Sequence, residues 1–188
     1  MTQAELPIDE EHEREIVHCV LQGDVQAFEA LVLRYQKPLY NLALRATGNE
    51  DAAADLTQEA FTRAYAQLER FDRKKRFFPW LYTIAVNVVR DHLRKKGRER
   101  VMGVEDPEGM AARAWSGDRD AMQDHMELKR LVREMENLPL DYREALVLRF
   151  RQDFSMKEIA QALGIGLSGA KMRVSRGLQM LRKRLKEQ

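Results

Sequence analysis

The 188-residue chain is poor in several features that would narrow its chemistry. Cys19 is its one cysteine, so no internal disulfide can form, and the residue reads as a small core side chain. His12, His18, His92 and His125 are scattered without metal-ligand spacing. Neither a glycine-rich phosphate loop nor a nucleophile paired with a base is present. These absences argue against an enzyme and imply neither a metal nor a cofactor. Long apolar runs are missing as well, since charge interrupts each of them. The N-terminus, MTQAELPIDEEHERE, is acidic where a signal peptide is basic and then apolar. The expectation is a cytoplasmic protein with no membrane insertion of its own.

What is present is 44% hydrophobic residues, enough for one sizeable core or two small ones, and a charge distribution far less even than the net +2 suggests. Residues 1–31 carry eight acids and one base, whereas 70–100 carry eleven bases and three acids. Residues 99–141 swing back to eleven acids against six bases, and 171–188 end with seven bases and one acid. Two basic blocks separated by an acidic one suggest two polyanion contacts with something else between them. Solvated helix faces account for the same charges in bland terms.

Helical periodicity runs throughout, with no convincing strand alternation. Phe28, Leu31, Val32, Tyr35, Leu39, Leu42 and Ala43 mark one apolar face over 24–46, which Pro38 is expected to kink or divide. Gly48 and Asn49 punctuate before a helix over 50–69, with Leu56, Ala60, Phe61, Ala64 and Leu68 inward and Asp55, Gln58, Glu59 and Thr62 on its other face. A third helix is expected from about Pro79 to Lys96, ending at Gly97. A further helix over about 9–22 has Ile16, Val17, Val20 and Leu21 inward. From 98 to about 120 glycines, Pro107 and acids break the period, and the stretch reads as a linker containing an unexplained Trp115.

The stretch FFPWLYTIAVNVVRDHLRKKGR, residues 77–98, sets Phe77, Phe78, Trp80 and Tyr82 beside Arg94, Lys95, Lys96 and Arg98. A single-stranded nucleic-acid platform needs both components, charges to track phosphates and rings to stack on or wedge between bases. A core supplies the rings equally well. Farther on, Leu128, Leu131, Val132 and Met135 give a helix that Leu138 and Pro139 break, and Ala145, Leu146, Leu148 and Phe150 belong to the next. SMKEIAQALG has Ser155 and Glu158 at capping-box spacing and Gly164 as a stop. The following helix is expected to be capped by Ser168. Two helices joined by a short glycine turn, with Ala160 at the crossing and Ile159, Leu163, Ile165 and Val174 beneath, form a helix-turn-helix. Lys171, Met172 and Ser175 lie where a recognition helix meets base edges, and Arg173 and Arg176 can reach phosphates.

Taken in order, DLTQEAFTRAY, FFPWLYTIAVNVVRDHLRKKGR and LPLDYREALVLRFRQDFSMKEIAQALG with the helix after it resemble regions two and four of bacterial sigma factors of the extracytoplasmic-function group. The resemblance covers roughly 24–97 and 126–186. It implies an all-α chain of two small helical domains, region two at 24–97 and region four at 126–188, joined by a flexible linker at 98–125 and preceded by an acidic segment at 1–23. By the same resemblance, Asp55, Gln58, Glu59 and Thr62 dock core RNA polymerase through its beta and beta-prime subunits. Phe77, Phe78, Trp80, Tyr82, Asn87, Arg90, Asp91, Arg94 and Lys95 recognise and melt the minus-ten element of promoter DNA. Ser168, Lys171, Met172, Arg173, Ser175 and Arg176 belong to the minus-thirty-five recognition helix. An anti-sigma factor is the implied regulatory partner. The chain departs from the family where Ser168, Gly169 and Ala170 stand in place of the usual Gly-Thr-Val type of opening. A conventional helix-turn-helix regulator and a polymerase-binding adaptor without promoter specificity are the alternatives.

Overall fold

A computed structural model describes residues 10–101 and 125–186, with side chains over 11–97 and 129–186. Among these residues there are eight α-helices and no strand. The segment at 102–124, Trp115 included, lies outside the described residues, as do residues 1–9.

The acidic first helix, α1 (Glu10–Leu21), lays Ile16, Val17 and Val20 against the following helices. Glu13 is also buried, where it pairs with Arg34 at 3.3 Å and accepts a hydrogen bond from the Tyr35 hydroxyl. Burial, reinforced by the Glu13 carboxylate, raises the Tyr35 pKa above its ordinary 10. Helix α2 (Phe28–Thr47) runs unbroken through Pro38, contrary to the expected division. Proline removes one backbone bond, but Leu31 and Tyr35 before it and Leu39 and Leu42 after it are buried along one face, and this shared packing holds the two halves together. Gly48, at φ 64°, ends α2 with its N–H on the Leu44 carbonyl at 2.8 Å. Asn49 then caps α3 (Glu50–Ala66), its side chain accepting from the Ala52 N–H at 2.7 Å.

Helix α4 (Phe77–Val101) starts two residues earlier than expected and continues through Gly97. A lone glycine costs only about 1 kcal/mol in a helix interior, too little to stop a helix flanked on both sides by arginine and lysine, which are good helix formers. Helices α1 to α4 share one core, to which Phe71, Phe77, Phe78, Leu81 and Val88 contribute.

The C-terminal unit comprises α5 (His125–Glu136), α6 (Leu140–Phe150), α7 (Met156–Leu163) and α8 (Leu167–Lys186). Pro139 sits at the N-cap of α6, and Phe150 at its end is 65% exposed. The capping box of α7 is complete, with the Ser155 N–H on Glu158 at 2.7 Å and the Glu158 N–H on the Ser155 hydroxyl at 3.3 Å. Gly164 at φ 63° makes the turn into α8. Ser168 does not cap α8, because the helix already begins at Leu167 and Ser168 lies in its first turn. The first backbone bond there runs from Ala170 N–H to the Gly166 carbonyl at 3.0 Å. Gly177 packs α8 closely on α6: a Cβ there would come 3.1 Å from Leu146.

Candidate nucleic-acid and polymerase interfaces

Asp55, Gln58, Glu59 and Thr62 occupy adjacent positions on one face of α3, and all four are exposed. Glu59 is tied to Arg63 one turn on, and the Thr62 hydroxyl donates back to the Gln58 carbonyl at 2.9 Å. Beside them, a groove of about 890 Å³ runs between α2 and α3, lined among others by Val32, Leu33, Tyr40, Gln58, Thr62 and Tyr65. Leu33 and Tyr65 are 56% and 41% exposed, an apolar flank that the polar reading of this face had missed. Leu33 falls outside the apolar stripe of α2, and an apolar residue on a polar face was the available signal.

On α4 the candidate residues divide. Asn87, Arg90, Arg94 and Lys95 are exposed and Asp91 is half-buried. Asp91 holds Arg94 at 2.5 Å and lies 3.5 Å from Arg63 of α3, so its carboxylate acts as a strut between two arginines. The rings face the other way. Phe77, Phe78 and Tyr82 are buried, and Trp80 is half-buried against Phe71 and Phe77 at centroid distances of 5.0 and 5.5 Å. Phe78 stacks flat on Tyr35 at 4.4 Å. In this arrangement the three buried rings serve as core and are not available to a base.

Phe77 is covered by Tyr35, Phe71 and Trp80 of its own unit, whereas Phe78 and Tyr82 also meet the C-terminal unit. Phe154, fully buried between α6 and α7, meets Phe78 and Tyr82 edge-on at 5.5 and 5.8 Å. The Tyr82 hydroxyl donates to Glu144 of α6 at 2.8 Å, and Arg45 of α2 grips the same carboxylate at 2.5 and 3.1 Å. Burial raises the Tyr82 pKa well above 10, and the Glu144 carboxylate adds to the rise. For Arg45, burial opposes the charge, but Glu144 outweighs it and the guanidinium pKa is raised. Neighbouring Arg143 is displaced downward by burial. Arg90 reaches from α4 to the Leu163 carbonyl at the C-terminus of α7, where a cation complements the helix dipole. A side chain at position 164 would bring its Cβ within 2.9 Å of that guanidinium, so Gly164 serves both the turn and Arg90. Arg76 donates to the Asp153 carbonyl at 3.1 Å and lies 3.5 Å from Glu158. Sequence reasoning missed Arg45 and Glu144; Arg45 is a lone charge within the apolar stretch LALRAT, and Glu144 stands beside Arg143 at the head of the apolar run ALVL.

On α8, Val174 and Ala170 face inward while Ser168, Lys171, Met172, Ser175 and Arg176 are exposed. Arg173 is held by Asp141 at 3.0 Å. The outward face thus presents a lysine, a thioether, a hydroxyl and an arginine on a helix packed against α6 and α7. Among the described residues no group of histidine, cysteine and carboxylate side chains is placed to hold a metal. No helix among them is long and apolar enough to cross a membrane.

These two helical units match two known families, sigma-70 region 2 over residues 31–99 and sigma-70 region 4 over 128–181, which makes the chain a sigma factor of the sigma-70 class. Within that class it belongs to the extracytoplasmic-function group. It is 33% identical over 175 residues to the ECF RNA polymerase sigma factor SigW of Bacillus subtilis, covering 89% of this chain and 94% of that protein. The ECF RNA polymerase sigma-E factor of Haemophilus influenzae is 33% identical over 178 residues, covering 90% and 93%. Among solved structures, the sigma factor RpoE bound to the anti-sigma factor NepR from Bartonella quintana is similar at 28% identity and a TM-score of 0.64, covering 85% of this chain and 96% of that one. CnrH in complex with the cytosolic domain of CnrY is similar at 25% identity and a TM-score of 0.62, covering 95% and 99%.

Proposed function

We propose that this ECF sigma factor divides its work among three surfaces. The α3 face of Asp55, Gln58, Glu59 and Thr62, with the apolar groove beside it, docks the beta and beta-prime subunits of core RNA polymerase. Carboxylates there would repel DNA, while the exposed Leu33 and Tyr65 suit a protein partner. Helix α4 takes the minus-ten element: Asn87 offers amide donors and acceptors to a base edge, Arg90, Arg94 and Lys95 neutralise phosphates, and the half-buried Trp80 offsets lost stacking as the strands part, with Phe77, Phe78 and Tyr82 packed as the core behind it. Helix α8 reads the minus-thirty-five element with Lys171, Met172 and Ser175, Arg173 and Arg176 contacting the backbone.

The observation that carries this reading is the exposed Lys171, Met172, Ser175 and Arg176 face on a helix-turn-helix, in the same chain as a region-two unit. A helix-turn-helix regulator alone has no use for region two, and a polymerase adaptor has none for that α8 face. An anti-sigma factor fits as the regulatory partner, because the Bartonella relative is solved with one and the likeness spans both units. Transcription from a library of random promoters by core polymerase, with and without this chain, tests the reading. Start sites that depend on the chain and share two spaced motifs support it; binding to core without such start sites supports an adaptor, and no binding to core supports a conventional regulator.

A further inference from the structure

We propose that Glu13 of the first helix is a positioning residue for promoter melting: through the Tyr35 hydroxyl it sets the stack of rings against which Trp80 rests. The part concerning melting rests on the assignment of Trp80 above; the coupling between Glu13 and Trp80 does not.

Glu13 stands where a helix of this kind would ordinarily carry an apolar side chain. The buried stripe of α1 is Glu13, Ile16, Val17 and Val20, and the carboxylate at its head is only 6% exposed. A charge taken out of water is costly unless it is paired and hydrogen-bonded, and here three groups close on one another. Arg34 Nε lies 3.3 Å from the Glu13 carboxylate and donates to the Tyr35 hydroxyl oxygen at 3.1 Å, while that hydroxyl donates in turn to Glu13. The Arg34 guanidinium also lies over the Tyr35 ring, 5.4 Å from its centroid. Tyr35 is therefore held at its hydroxyl and on its face. A phenyl ring would keep the packing and lose the anchor.

From Tyr35 the contacts run on to the start of α4. Its ring is stacked on Phe78 at 4.4 Å, within 6° of parallel, and meets Phe77 at 6.1 Å. Phe77 touches Trp80 at 5.5 Å, and Phe71 braces the two of them at 5.6 and 5.0 Å. Glu13, Phe71 and Phe77 also line one small cavity, so the carboxylate is a direct neighbour of the rings behind Trp80. Helix α1 packs on α2, on α4 and on the short turn Leu68–Arg70 that leads into Phe71. Aromatic pairs have preferred geometries, and a stack anchored at one end by a charge-assisted hydrogen bond limits the orientations open to the ring at the other. Among these rings Trp80 is the one that solvent reaches, while Tyr35, Phe71, Phe77 and Phe78 are buried. A ring that takes over stacking from a parting base pair must stand in the right place beforehand, and that place is set by what supports it. Glu13 supplies the far end of the support.

The test uses the full chain with core polymerase on a promoter that depends on it, and reads two steps separately: affinity of the closed complex, and the rate of strand separation by permanganate oxidation of unpaired thymines. Glu13→Ala and the milder Tyr35→Phe, which keeps the stack, are each expected to slow strand separation about tenfold, about 1.4 kcal/mol, with closed-complex affinity unchanged. The double variant should be no slower than the slower single one, because both remove the same anchor. A template already unpaired at the minus-ten element should restore the parental rate. Trp115→Phe leaves Trp80 as the only tryptophan, and in that background its emission should shift to the red in both variants as water gains access to the ring. Parental strand separation in both variants overturns the proposal. So do additive losses, or a slow rate that persists on the unpaired template, either of which would make Glu13 a support of the fold alone. An unchanged Trp80 emission overturns the coupling. Trp80→Ala separates these failures from failure of the α4 reading: if it leaves strand separation at the parental rate, the melting role falls with that reading, and the emission shift alone decides whether Glu13 sets the ring.

Discussion

Arg45 and Glu144 stand 99 positions apart in sequence and 2.5 Å apart in space, each almost completely buried. Removing one partner leaves the other charged in a site closed to water, at a cost of about 3–5 kcal/mol. Opening the contact between the two units rehydrates the stranded group and avoids that cost. Urea titration of Arg45→Met, followed by circular dichroism and the distance between the units, is expected to separate the units before the helices melt. The double variant Arg45→Met, Glu144→Met should return toward a single transition, since an apolar pair of similar volume is tolerated where a lone charge is not.

Two buried tyrosines set the alkaline limit. Tyr35 and Tyr82 both have raised pKa values, so above pH 10 the unfolded chain loses phenolic protons that the folded chain keeps. Their contribution to stability is whole below pH 10 and falls as pH rises past it. Melting temperature measured between pH 9 and 11 should decline steeply, and Tyr35→Phe or Tyr82→Phe should each flatten the decline.

On α8, the residues proposed to read bases and those proposed to bind phosphates should separate by their salt behaviour. Lys171→Ala and Ser175→Ala should relax preference among minus-thirty-five sequences, whereas Arg176→Ala should weaken all duplexes alike. The dependence of log affinity on log salt should become shallower by about 1 for Arg176→Ala. Fluorescence anisotropy at several salt concentrations with matched and scrambled duplexes distinguishes the two effects.

The α2–α3 groove gives a prediction of opposite specificity. Leu33→Glu places a charge on an exposed apolar residue beside Gln58, where it costs little stability but meets any apolar partner face. Core polymerase affinity is expected to fall tenfold or more, about 1.4 kcal/mol, with duplex binding by α8 intact. Pull-down with purified core alongside duplex titration measures both.

The helices and their faces were legible because they depend on local spacing: the Ser155–Glu158 capping box, the Gly48 and Gly164 stops and the inward stripe of α3 could all be read along the chain. Two errors came from weighing single residues against a whole helix. Pro38 and Gly97 each penalise their helix locally, but packing along α2 and good helix formers around Gly97 in α4 outweigh them. The destination of the rings was not legible. Phe78 and Tyr82 are buried by Phe154, more than seventy positions away, and periodicity within α4 carries no information about what lands on it. Arg45 and Glu144 were overlooked for the same reason, because each looks like an ordinary helix charge until its partner is placed.

The missing side chain at position 177 has a consequence for promoter preference. Leu146 already lies 3.1 Å from where a Cβ would be, so a side chain there must push Leu146 aside by a few tenths of an ångström or tip α8 off α6, the more so the larger it is. Ser175 and Met172 ride on the same rigid rod, and a small tilt at its support is carried to the exposed tips proposed to touch bases. On the proposed reading of α8, the sequence it prefers is adjustable from its back, at a position buried against α6.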